Sequence, residues 1–121
     1  MGQKNYLSQG TIPPHRIVKF GSADNTVVMS SAATDLSVGV SGRYKGNAVT
    51  GERVDIIRDD WAEVEFGGTV TRGQGLTSDA NGKAIAATAT GQRVIGYAEA
   101  SAVAGDIGWM TVELGTFAVS A

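Results

Sequence analysis

Thr69 to Val112 reads TVTRGQGLTSDANGKAIAATATGQRVIGYAEASAVAGDIGWMTV, and this stretch decides the fold. It is a run of short β-prone pieces separated by glycine-containing turns. Asp79-Ala80-Asn81-Gly82 lies between Gly75-Leu76-Thr77-Ser78 and Lys83-Ala84-Ile85-Ala86. An Asn-Gly pair supplies the two left-handed positions of a type I′ turn, because Gly82 has no β-carbon and the Asn81 amide can bond nearby backbone. A chain reversal of that type is therefore expected here. Strands follow at Arg93-Val94-Ile95-Gly96-Tyr97-Ala98 and Trp109-Met110-Thr111-Val112-Glu113-Leu114; residues 98–104, AEASAVA, allow one or two helical turns, but with Gly105-Asp106 after them a close-packed link between the strands is expected.

The N-terminal half carries the same punctuation. Arg16-Ile17-Val18-Lys19-Phe20 suits a strand, Gly21-Ser22-Ala23-Asp24-Asn25 a turn, and Thr26-Val27-Val28-Met29 the returning strand of a hairpin. Ser30 to Asp35 reads as loop. Alternation in Leu36-Ser37-Val38-Gly39-Val40-Ser41 places Leu36, Val38 and Val40 on one buried face. Gly42-Arg43-Tyr44-Lys45-Gly46-Asn47 is expected as a basic, exposed connection, with a further strand at Arg53-Val54-Asp55-Ile56-Ile57.

The cleanest alternation is Trp61-Ala62-Glu63-Val64-Glu65-Phe66, where Ala62, Val64 and Phe66 face one way and Trp61, Glu63 and Glu65 the other. Met110, Val112 and Leu114 likewise oppose Trp109, Thr111 and Glu113. A tryptophan thus lies on the more polar side of each strand. Two in equivalent places make Trp61 and Trp109 candidates for a subunit interface.

Helical periodicity is scarce, and the many short strands predict a mainly β fold, a compact β-barrel or sandwich-like domain of about seven to nine strands. A chain of 121 residues with 17 glycines allows one domain with a modest core, a size at which oligomerisation often supplements stability. The formal charge of -2 and pI near 5.2 lack the positive field of a nucleic-acid binder, so the expected partner is a protein surface. The absence of cysteine excludes disulfides and thiolate zinc sites and fits assembly in a reducing compartment. No stretch approaches the roughly 18 to 20 apolar residues of a bilayer span, and no signal-like run follows Met1, so a soluble chain without a membrane partner is expected.

Residues 1–14 are expected as an extended N-terminal arm and residues 15–121 as the single β domain. The arm has a polar start, no periodic apolar face, and the Pro13-Pro14 pair that favours extended backbone. Ordinary fraying is one reading. The sharper one is a segment that orders against a neighbour, with Tyr6, Leu7 and Ile12 as apolar anchors and Pro13 and Pro14 ending any ladder.

Catalytic chemistry finds little support. His15 is the sole histidine, directly after Pro14, and reads as a surface residue. No Gly-x-Ser-x-Gly elbow offers a serine for it to activate. Asp55, Asp59 and Asp60 stand near Glu63 and Glu65, a set that glycoside hydrolysis could use, but the spacing is equally that of two strands joined by an acidic turn. Asp79-Ala80-Asn81-Gly82 lacks the remaining ligands of a calcium loop, and Gly73-Gln74-Gly75 lacks the Gly-Lys-Ser/Thr of a phosphate loop. No catalytic residue, metal or cofactor is expected.

The alanine- and glycine-rich half resembles the small head-decoration, or capsid-cement, proteins of tailed bacteriophages, related in design to the lambda-type decoration protein and grouped with phage proteins of unknown function. The similarity is carried by Gly73 to Lys83 as a Gly-x-x-Leu/Val-Thr-x-Asp-x-x-Gly-Lys turn region, by Gly91, Val94, Gly96 and Ala98, and by Ala104, Gly105, Asp106, Met110, Val112 and Leu114. Lys4-Asn5-Tyr6 and Gly39-Val40-Ser41 extend it more loosely over most of the chain. The resemblance implies a non-enzymatic homotrimer on the outer surface of the virion head, made in the host cytoplasm. It would bridge major capsid protein subunits at three-fold or quasi-three-fold positions, with the N-terminal arm on the lattice. A helix comparable to that of the lambda-type protein is not evident here. From another class, a virion-surface β-domain that binds a carbohydrate or host receptor fits the same composition, and a carboxylate-dependent hydrolase fits it least.

Overall fold

Ten strands and no helix form among residues 3–41, 48–89 and 91–116, the part of the chain that the computed structural model describes. They are β1 Gln3–Ser8, β2 Ile17–Phe20, β3 Thr26–Met29, β4 Ser37–Val40, β5 Arg53–Ile57, β6 Asp60–Glu65, β7 Gly75–Ser78, β8 Ala84–Ala86, β9 Arg93–Ala98 and β10 Ile107–Thr116. The first five close into a barrel in the order β1-β3-β2-β4-β5, and the rest form a sheet in the order β6-β10-β9-β7-β8. The mainly β barrel reading is thus met, with one strand more than expected.

That strand is β1, and it corrects the arm read over residues 1–14. Gln3 to Leu7 pair antiparallel with Ile57 to Arg53, and Leu7 and Ser8 pair parallel with Thr26 and Val27. Ile12 exchanges backbone hydrogen bonds with Ala48 at 2.8 and 2.9 Å. The described part of the segment is therefore built into the barrel. Its β5 partners lie some 50 residues away along the chain, and its buried residues are Tyr6 and Ser8, one apolar and one polar, so no period-two run of apolar residues marks the strand.

Alternation delivers two cores. Tyr6, Ile12, Val18, Val27, Val38, Ala48, Val54 and Ile56 fill the barrel. Ala62, Val64, Phe66, Leu76, Ile95, Met110 and Val112 line the inner face of the second sheet, where Ile17 and Val40 from the barrel wall pack against them. Strand β4 is shared between the two, so Val38 belongs to one core and Val40 to the other. This corrects the single buried face expected for Leu36, Val38 and Val40: Leu36 precedes the strand and is exposed, while both faces of β4 are buried. The buried Ser37 hydroxyl is matched by Ser30 at 2.7 Å, which removes the cost of an unpartnered polar group.

The reversal between β7 and β8 occurs as expected, but its type differs. Gly82 is left-handed at φ 72° and Asn81 is not, which makes this a turn with one left-handed residue instead of a type I′ pair. Asp79 organises it: one carboxylate oxygen accepts from the Asn81 and Lys83 amides at 2.8 and 2.9 Å. The turn also docks on the barrel, since the Ile17 amide donates to the Gly82 carbonyl at 2.7 Å. Beyond β6, Phe66 bridges Ala84 in parallel, which covers the β8 edge. The link at 98–104 is irregular, with Ala102 bridged to Val70. The basic connection expected at 42–47, the Leu114 side chain and the tail from 117 lie outside the described residues.

Candidate interaction surface

The outer face of the second sheet follows from register. Strands β6 and β10 pair with Trp61 opposite Thr111 and Glu63 opposite Trp109. Both indoles therefore project from the same face on neighbouring strands, as diagonal neighbours whose Cα atoms lie about 7–8 Å apart in such a ladder. Their inward counterparts Ala62, Val64, Met110 and Val112 are buried in the core, which fixes this face outward. Trp61 is 64% exposed and Trp109 51%.

Other strands complete the face. Tyr97 of β9 stands opposite Thr111 on the far side of β10 and is exposed. The Glu99 amide donates to the Trp109 carbonyl at 3.1 Å, so Glu99 flanks Trp109 across from Glu63. The Thr111 hydroxyl donates to the Glu99 carboxylate. Trp61, Trp109 and Glu99 line an open depression. Exposed Ile107 continues the apolar strip along β10.

At the end of this face the charges are balanced locally. Glu65, opposite Ile107, accepts from Arg16 Nη2 at 2.9 Å and pairs with Lys83 Nζ at 3.2 Å. Burial alone would raise the Glu65 carboxyl, but the hydrogen bonds and charges of Arg16 and Lys83 outweigh it and hold it below the ordinary carboxylate range. A similar balance lowers Asp35, where partial burial is outweighed by the Ser31 amide at 2.8 Å and Lys19 at 2.9 Å.

The residues singled out in the N-terminal segment are dispersed. Tyr6 and Ile12 lie within the barrel, 3% and 1% exposed, and so serve as core instead of projecting as anchors. Leu7, Pro13 and Pro14 are half-buried. The Tyr6 hydroxyl accepts from Arg58 at 3.1 Å, and its ring meets Phe20 edge-on at 6.1 Å. His15 is a turn residue at φ 62°, whose carbonyl accepts from the Glu65 amide at 3.0 Å.

The acidic residues do not gather into a metal site among the described residues. Asp55 accepts from the Asn5 amide group at 2.9 Å, whereas Glu65 is committed to Arg16 and Lys83. The structure thus brings together Trp61 and Trp109, and adds Tyr97, Glu99 and Ile107. Alternation could mark Tyr97 as outward, but only the register shows that it shares a face with the indoles.

No curated protein matches the chain. In fold it is similar to the head fiber gp8.5 N base in bacteriophage phi29, whose crystal structure superposes with a TM-score of 0.71 at 17% identity, over 97% of this chain and 98% of that one. The sequence profile described as phage cement protein matches residues 5–114, which reach into all ten strands and include both tryptophans. The chain belongs to the phage cement protein family, and is a structural protein of the virion and not an enzyme.

Proposed function

We propose that this protein seats on the outer surface of a phage head, contacts the major capsid protein and stabilises the capsid lattice. The observation that carries the reading is the exposed Trp61 and Trp109 pair on one sheet face, in a chain of the cement family. Tryptophan supplies a large, rigid apolar area, and interfaces concentrate their energy in such anchors. Many copies on one shell would make each modest contact count collectively. We further propose homotrimers at three-fold positions, where contacts are heterologous and the aromatic face need not meet its own copy.

Co-sedimentation with purified heads that lack the protein tests this reading. Wild-type protein is expected to bind and to raise the temperature at which heads release DNA. Trp61→Ala with Trp109→Ala should weaken binding on the order of 30-fold, the equivalent of one interface hot spot of about 2 kcal/mol. Unchanged binding would contradict the docking face, and binding without added heat resistance would contradict the cement role. The indole-walled depression also favours a second reading, a virion-surface domain for carbohydrate, because ligand sites combine aromatic walls with a few polar groups.

A further inference from the structure

We propose that the depression between Trp61 and Trp109 receives a cationic side chain, an arginine or lysine of the capsid surface, with the Glu99 carboxylate as its counter-charge. This deepens the docking reading above and rests on it. Two indoles and one carboxylate line a single open space. The face of an indole is the negative end of its quadrupole and attracts a guanidinium or ammonium more strongly than other aromatic rings do. A carboxylate beside it adds a charge-assisted hydrogen bond. The Thr111 hydroxyl donates to Glu99 and so orients that carboxylate, while a carboxylate retains further acceptor sites.

The charge of the surrounding face points the same way. Glu63 and Glu99 flank Trp109 across the ladder, and exposed Glu113 lies further along β10. Arg16 and Lys83 are held by Glu65 at the end of the face. A second copy meeting this face on a two-fold axis would set Glu99 and Glu113 against the same two acids, which disfavours self-pairing. A sugar would ask for donors and acceptors in alternation around its hydroxyls, and the lining residues offer one carboxylate between apolar walls. A partner that brings positive charge to an apolar contact satisfies both features.

The chain has two tryptophans and both line the depression, so intrinsic fluorescence reads the site directly. Arginine amide is expected to shift that fluorescence with half-saturation in the millimolar range, the effect vanishing in Glu99→Gln, while cellobiose leaves it unchanged. A saturable response to cellobiose and none to arginine amide would overturn the proposal in favour of a sugar site. On heads, Glu99→Gln should weaken binding about ten-fold and flatten its salt dependence. Asp24→Asn, an exposed acid on the barrel, serves as the control and should do neither. If Trp61→Ala and Trp109→Ala weaken head binding while Glu99→Gln changes neither affinity nor salt dependence, the docking face stands and the cation pocket is rejected. If the tryptophan variants bind normally, the docking reading itself fails.

Discussion

The Arg16 guanidinium donates to Glu65 Oε1 across 2.9 Å, and this bond ties the entrance of the barrel hairpin to the outermost strand of the second sheet. Lys83, at the docked turn, takes the other carboxylate oxygen at 3.2 Å. Because the Glu65 carboxyl is held below its ordinary value of 4.5, its contribution is fully present above that value and is lost as pH falls through the lower folded one. Asp35 acts in the same direction. Thermal melts between pH 7 and pH 3 should therefore show stability falling in acid. Glu65→Gln should cost about 1 kcal/mol at neutral pH, modest because water reaches the pair, and should make the acid slope shallower. An unchanged slope in that variant would show that the pair does not join the two units.

Gly96 leaves no room for a β-carbon. It has φ 156°, and a β-carbon there would stand 1.8 Å from the Thr111 carbonyl oxygen, beside the irregular register of β9 and β10. Gly96→Ala should destabilise by about 3 to 5 kcal/mol, the sum of overpacking and backbone displacement. Denaturant melts would register the loss, and a cost below about 1 kcal/mol would mean that the two strands separate more easily than their pairing implies.

Gly82→Ala tests the docking of the turn on the barrel. A β-carbon there would meet the Met29 side chain at 2.6 Å and would also occupy a left-handed φ. The expected cost is about 2 kcal/mol, and Gly51→Ala, left-handed but open to solvent, should cost less by the steric part. Equal costs would remove the contact with Met29 from the explanation.

Removal of residues 2–11 should unfold the barrel, because β1 closes it between β3 and β5 and Tyr6 fills its interior. Circular dichroism and amide NMR dispersion would show the loss. A truncated chain with a native melt would restore the segment to the role of a detachable arm.

Nine of the ten strands were legible because each carries its own period-two pattern or turn signal, as Trp61 to Phe66 does. Strand β1 was not, since polar Ser8 shares the buried side with Tyr6 and the run Gln3 to Ser8 shows no apolar alternation. The outward stance of Trp61 and Trp109 could be read from alternation. Their shared space with Glu99 could not, because it depends on register between strands that are not hairpin partners. Leu36 misled because the strand begins only at Ser37 and the β2–β4 register shifts between Val18 and Lys19, so strict alternation does not run from Leu36 to Val40.

The most direct measurement is a density map of decorated heads at a resolution that traces side chains. The expected map shows the outer face of β6 and β10 against the major capsid protein, with Trp61 and Trp109 buried at the contact and copies grouped around three-fold positions. A map in which both tryptophans face solvent in every copy would contradict docking through this face.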